Sequence, residues 1–281
     1  MTPALEAEHS VPLTTVSFSG NRYVALADLG LPQRVPLMVH GNGRVYLSVV
    51  HAVAEQINGG PVPKLEEYGY TDRGKGSIDI GTLRLGGAVF DGVADVPVFD
   101  FSDAPDGPVQ GMLGTRFLIA ARAAVDFASD SLLLGVRLDA VPSQILIRRG
   151  YVPVPMQAAG DGRVTIDVRF PAIDRVLPIT PSTVANALTL HAPLFAGSIE
   201  MVSSTTDQSP SGTSPEVFTS DGVAFEIAGV DCRADASLQD LAEYGKVPES
   251  ELGSYGMLGF DWMKDHEAVI DYANLVLSFR A

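Results

Sequence analysis

"GMLGTRFLIAARAAVDFASDSLLLGV", residues 111–136, returns as "GMLGFDWMKDHEAVIDYANLVLSFRA", residues 256–281. The match runs without a gap at a constant offset of 145 residues, with eight identities in 26 positions. Four identities open the segment in a row: Gly111/Gly256, Met112/Met257, Leu113/Leu258 and Gly114/Gly259. The others are Ala123/Ala268, Asp126/Asp271, Ala128/Ala273 and Leu132/Leu277. Each copy closes its half of the chain, as a duplicated domain would. A weaker echo sets "YVPVPMQAAGDGRVTIDV" of the second half against "FSGNRYVALADLG" of the first. The chain therefore divides into residues 1–138 and 139–281.

Outside the repeat the texture is mainly β. Short alternating or β-branched runs such as "TTVSFSG", "VYLSVV", "SIDIGTLRLGG", "RVTIDVRF" and "VAFEIAGV" are separated by Gly, Pro, Asn and Asp. Their spacing of roughly 8–12 residues is that of all-β domains. Helical patterns are few and short: 48–58, 114–121, 182–190, 237–244 and 260–266. Residues 202–216, "VSSTTDQSPSGTSPE", are nearly free of apolar side chains and read as a mobile loop, since such a composition cannot offset its ordering entropy.

Composition narrows the function classes. The chain has 281 residues, with 34 acidic against 19 basic side chains and a formal charge of −15. Such a surface repels phosphate backbones and anionic lipid, so neither nucleic acid nor a membrane surface is an expected partner. A single cysteine, Cys232, excludes an intrachain disulfide and a cysteine-based zinc site. The opening "MTPALEAEHSVPLTT" lacks the basic and apolar regions of a signal peptide, and no apolar run reaches ~18 residues. A cytoplasmic protein, monomeric or homodimeric, is the expectation.

In the first half, "VPLMVHGNGR" (35–44) reads as a buried strand that stops at His40-Gly41-Asn42-Gly43, a sharp turn with positive φ expected at its glycines. A strand entering such a turn, followed later by Gly-Met-Leu-Gly and a short helix, twice over, resembles the two-lobed aspartic proteases. The resemblance spans most of the chain at low identity. It implies a bilobal pepsin-like fold of two pseudo-symmetric β lobes around a cleft. "YGYTDRGKGSIDIGTLRLGG" resembles the family's flap hairpin, expected over about 68–82, with Tyr68 or Tyr70 near the flap tyrosine's place.

That family hydrolyses peptides with one aspartate from each lobe, two like charges close enough to share a proton. Where the resemblance puts Asp-Thr-Gly, this sequence reads His40-Gly41-Asn42, or Val39-His40-Gly41 after a one-residue slip. In the second lobe "RVLPITPSTVANAL" gives Thr180-Pro181-Ser182, or Ile179-Thr180-Pro181 after the same slip. Neither Asp-Thr-Gly nor Asp-Ser-Gly occurs anywhere in the chain. The expectation is a pseudoprotease whose interlobe cleft binds a small molecule or a peptide without hydrolysing it.

The alternative is an enzyme with a repurposed cleft that isomerises, cyclises or eliminates from an apolar metabolite. His40 is then the proton handler, since an imidazole titrates near neutrality. Asn42, Arg44, Thr180, Ser182, Thr183 and the flap tyrosine would orient the ligand. Arg44, Arg73 and Lys75 are the cations nearest the expected cleft and flap; they would orient an anionic or carbonyl-bearing ligand, and their bland reading is solvated loop charges. The bland reading of His40 is that it caps its own turn and fills vacated space.

Other chemistries find little support. His9, His51, His191 and His266 are dispersed, and no His-Glu-x-x-His occurs, so no metal is expected. Asp100, Asp103 and Asp106 are spaced by three, unlike the alternate-residue ligands of a calcium loop. Gly-x-Ser-x-Gly and the phosphate-binding glycine motifs are absent, and no cofactor is expected. Phe260 and Trp262 read as core, and Cys232 as a buried inert thiol.

Overall fold

The computed structural model describes residues 5–18, 20–43, 45–62, 76–98, 107–138, 144–159, 162–203, 216–245 and 247–281. The repeat forms the seam between two lobes. Its strands lie in a six-stranded antiparallel sheet ordered Ala7–Pro12, Ser131–Val136, Ala124–Asp126, Val269–Asp271, Val276–Arg280 and Tyr151–Pro155. At the centre Ala124 pairs with Asp271, Val125 with Ile270 and Asp126 with Val269. The offset of 145 carries Val125 onto Ile270, so a pseudo-twofold axis passes between this pair.

Details on either side of the axis repeat accordingly. Phe127 N–H donates to Ala268 O and Tyr272 N–H to Ala123 O, both at 2.9 Å. Asp126 accepts from the N–H groups of Ala128 and Ser129, and Asp271 from those of Ala273 and Asn274. Each aspartate thus closes its own hairpin turn, which accounts for one of the scattered identities, Asp126/Asp271. Arg122 and Glu267 both sit at φ 46°, and Asp130 and Leu275 at φ 48° and 53°.

Each lobe hangs a larger sheet from this seam. In the first, Gly111–Gly114 lies between Val35–His40, parallel to it, and Leu47–Val49, antiparallel to it. In the second, Gly256–Leu258 lies in the same way between Arg175–Pro181 and Leu188–His191. The shared Gly-x-x-Gly is a close-approach requirement. A Cβ on Gly111 would lie 2.4 Å from Ser48 O, and one on Gly256 2.4 Å from Thr189 O. The helices Thr115–Ala120 and Phe260–Asp265 follow directly.

The core is continuous across the seam. Tyr23 and Phe127 of the first lobe pack on Phe260 of the second, with ring centroids 4.7–5.4 Å apart. Lys264 donates to Phe127 O at 2.8 Å and pairs with Asp130, which also accepts from the Tyr23 hydroxyl. Phe260 and Trp262 are core residues, 3% and 5% exposed. Cys232 is buried, and burial pushes its thiol up to about 11.

Three expectations need correction or limits. Residues 182–190 are not helical: Ser182 Oγ accepts from the N–H groups of Val184 and Ala185, and Leu188–His191 is a strand. The hydroxyl competes for backbone donors that a helix would need. Two short helices, Gln144–Arg148 and Ala192–Phe195, stand where no helical pattern was read. Of the expected flap over 68–82, residues 68–75 lie outside the described residues. So do 204–215 of the 202–216 loop and 139–143 at the boundary between the halves.

Candidate functional site

The seam brings two turns together. Leu113 pairs with Val39, and its repeat mate Leu258 pairs with Pro181. The pseudo-twofold axis therefore matches His40-Gly41-Asn42 with Ser182-Thr183-Val184. This corrects the second-lobe register, read from sequence as 180–182 or 179–181. Strand pairing defines the match, and neither candidate triplet carried that information.

The first turn closes by a hydrogen bond from Gly43 N–H to His40 O, 2.9 Å. It is tied down by Thr115, whose hydroxyl donates to Gly41 O at 2.6 Å and whose N–H donates to Gly43 O at 2.8 Å. Neither Gly41 nor Gly43 has the positive φ expected of it. Gly41 is required by proximity instead: a Cβ there would lie 2.3 Å from the Tyr272 hydroxyl.

The second turn is tied to its own lobe by Ser182 N–H to Leu258 O, 2.9 Å. It is tied to the other lobe by Thr183. Gly41 N–H donates to Thr183 Oγ1 at 2.9 Å, and that hydroxyl donates to Val39 O at 2.6 Å. One side chain thus satisfies two buried backbone groups of the opposite lobe. Gly41, its counterpart, has no side chain with which to reciprocate.

Side-chain alternation sets what faces the two turns. Leu37 and Val39 enter the main core, so Met38 and His40 face the other way, beside a cluster of Val24, Val109 and Met112. Val184 of the second turn packs on that cluster. Ile179 likewise enters the core, which turns Thr180 to the opposite face, next to its register partner Met257. Asn42 crosses the seam to place its amide nitrogen against Met257 Sδ.

His40 is half-buried, and its Nδ1 is closed off against Gly43. Burial pushes the imidazole down to about 4, with the Arg22 guanidinium adding to the effect and the residue's own backbone carbonyl opposing it. The ring is therefore neutral at physiological pH. Among the described residues four polar atoms around the turns are buried without a partner: His40 Nδ1, Asn42 Oδ1, Thr180 Oγ1 and the Tyr272 hydroxyl. Burial also pushes the Tyr272 phenol up, so it remains protonated.

Of the site residues read from sequence, the fold brings His40, Asn42, Thr180 and Ser182 to one place. Arg44, Tyr68 and Tyr70 lie outside the described residues, as do Arg73 and Lys75. Thr183 is placed as a cross-lobe tie. Arg22 and Tyr272 escaped the sequence reading. Arg22 had a legible signal, since it alternates with Val24 as His40 does with Met38.

No protein-family model and no curated protein matches the sequence. Among solved structures, an aspartic proteinase from Irpex lacteus matches over 97% of this chain and 97% of its own, with a TM-score of 0.53 at 14% identity. The chain has the pepsin-like aspartic-proteinase fold. An inhibitor-bound EIAV protease also aligns, over 36% of this chain and 85% of its own, at 18% identity and a TM-score of 0.27. Within the pepsin-like fold, the two turns meet at the junction of the lobes. Among the described residues no group of three or more His, Cys, Asp or Glu is arranged to hold a metal ion. No helix among them is long and apolar enough to cross a membrane.

Proposed function

We propose that this chain uses a pepsin-like fold to bind a small molecule or a peptide between its lobes, without aspartic-type peptide hydrolysis. The observation that carries this reading is the pair of matched turn positions, occupied by His40 and Ser182. Hydrolysis of the aspartic type needs one carboxylate to activate water and a second to hold a proton. An imidazole held neutral down to about 4 and a serine hydroxyl supply neither. The Ser182 hydroxyl is further committed, accepting from Val184 and Ala185 at 3.1 and 2.8 Å.

Binding is supported by the unpartnered buried atoms on the same face. A buried polar atom without a partner costs about 1–3 kcal/mol, a cost that a bound molecule would offset. His40, Asn42 and Thr180 are the proposed contacts. Metabolites and short peptides screened by thermal shift should yield a ligand whose effect falls at least tenfold in affinity in both His40→Ala and Thr180→Val. A ligand that stabilises both variants as well as the wild type would overturn the placement.

One observation favours a second reading, in which the ligand is also transformed. Nε2 of His40 makes no hydrogen bond to a described residue, leaving a neutral imidazole nitrogen free to take a proton from a bound metabolite. Such an isomerase, cyclase or lyase would lose turnover in His40→Ala. Unchanged turnover would remove His40 from the chemistry.

A further inference from the structure

Arg22 is 9% exposed and stands beside the ring that the proposed ligand would meet. The antiparallel register pairs Val24 with Met38 and Ala25 with Leu37. The pairing ends at Val24 and Met38, and side-chain alternation beyond it keeps Arg22 on the face of Val24 and His40 on the face of Met38, where the two contacting side chains share a cluster. Like charges that share one face of neighbouring strands repel.

The guanidinium is held in place from both lobes. Its Nη1 donates to Asn21 O at 2.7 Å and to Asn186 Oδ1 at 2.8 Å, and the same Asn186 oxygen accepts from Asn21 N–H at 3.1 Å. Asn186 belongs to the second lobe, just past the Ser182-Thr183-Val184 turn. Among the described residues Asp261 is an acidic group that acts on this cation, and Asn21 Nδ2 reaches its carboxylate at 3.3 Å. Among the described residues Arg22 is the charged group that acts on His40.

We propose that Arg22 is a positioning residue for His40: it holds the imidazole uncharged, so that the ring meets its ligand as the acceptor of a hydrogen bond from a hydroxyl or an amide N–H. Burial of the ring is the larger influence in the same direction, and Arg22 adds to it. Nδ1 lies beside its own residue's carbonyl without forming an aligned hydrogen bond, an environment that favours the proton on Nδ1. Nε2 then carries the lone pair.

A neighbouring oxygen extends the same preference. Among the described residues Asn42 Oδ1 is buried without a partner and can only accept, while Thr180 Oγ1, likewise unpartnered, can accept or donate. Both residues adjoin Met257, one by side-chain contact and one by strand register. The ligand class this favours is uncharged and bears at least two donor groups. A carboxylate would turn lone pairs toward an imidazole nitrogen and an amide oxygen, and the Arg22 cation that could attract it is already bonded to Asn21 and Asn186. This assignment of ligand class rests on the binding reading above, whereas the assignment of Arg22 to His40 stands on the face that their two strands share.

Ring-¹⁵N NMR tests both parts on the full chain. In the wild type the His40 ring should stay neutral, with the proton on Nδ1, well below the usual histidine range. Arg22→Met should move its titration midpoint upward, and Arg22→Lys should leave it near the wild-type value. An unmoved midpoint in folded Arg22→Met, or a wild-type ring charged at neutral pH, would overturn the assignment. If Arg22→Met does not fold, Arg22→Gln carries the test, and an unmoved midpoint in that variant overturns the assignment.

For the ligand class the probes are N-acetyl-leucinamide and its acid, N-acetyl-leucine, which share one body and differ in charge. The amide should shift the His40 ring and Asn42 side-chain signals at least tenfold more tightly than the acid. Equal or tighter binding of the acid would overturn the acceptor role. If neither probe moves these signals while Arg22→Met moves the midpoint, the binding reading fails and the role of Arg22 stands.

Discussion

The two turns at the seam occupy matched places and are built in opposite ways. Every side-chain hydroxyl of Ser182-Thr183 is committed: Ser182 to Val184 and Ala185, Thr183 to Gly41 and Val39. The first turn holds its shape through backbone groups and Thr115, and leaves His40 Nδ1 and Asn42 Oδ1 buried without partners. Buried polar atoms in native proteins are rarely left so. The second turn thus acts as the clamp. The first, freed from that duty, leaves the half-buried His40 ring with an Nε2 that bonds to no described residue.

The sharpest way to break this division is to disable the clamp. Thr183→Val keeps the volume but leaves Gly41 N–H and Val39 O without their shared partner. Two buried backbone groups so stranded should cost about 2–5 kcal/mol, read as a fall in urea midpoint. A change below about 0.5 kcal/mol would mean the lobes are held elsewhere, for instance by Lys264 and Asp130.

A somewhat smaller effect tests the first turn through pH. The folded His40 is held down to about 4, while in the unfolded chain it titrates near 6.5. As pH falls through that window the unfolded state takes up a proton that the folded state refuses, so stability declines. The loss from this one group is about 3 kcal/mol at most once pH is below 4, and it is absent above about pH 7. In His40→Asn that part of the pH dependence should vanish from unfolding curves measured between pH 7 and 4. An unchanged profile would show that His40 is not the titrating group.

The smallest effect concerns the missing reciprocity. Gly41→Thr should cost about 1–3 kcal/mol, because its new side chain meets the Tyr272 hydroxyl. Adding Tyr272→Phe removes that oxygen and a buried unpaired group with it, and should recover most of the loss. Failure of the double variant to recover would place the conflict in the turn's backbone instead.

The repeat made the overall plan legible, because identities such as Asp126/Asp271 serve the same turn in both halves and therefore persist at the same spacing. The strand into His40 was equally readable from its apolar run. The second turn was not: Ser182 becomes the mate of His40 only through pairing of Leu258 with Pro181, a contact between segments distant in sequence. Helical propensity in "STVANAL" also pointed the wrong way, since nothing local reveals that Ser182 Oγ takes the backbone donors. Gly41 looked like a residue chosen for positive φ. Its real constraint is the hydroxyl of Tyr272, remote in the chain. The face of Arg22 was legible from its alternation with Val24, but its neighbour His40 was not, because that neighbour is set by how the two strands pair.

The central claim is that a pepsin-like fold with His40 and Ser182 at its matched turns does not hydrolyse peptides by the aspartic route. It is tested most directly by incubating the purified chain with a diverse peptide library at acid pH, with and without a pepstatin-type inhibitor, and reading products by mass spectrometry. The account predicts no cleavage and no effect of the inhibitor. Cleavage abolished by that inhibitor would contradict it.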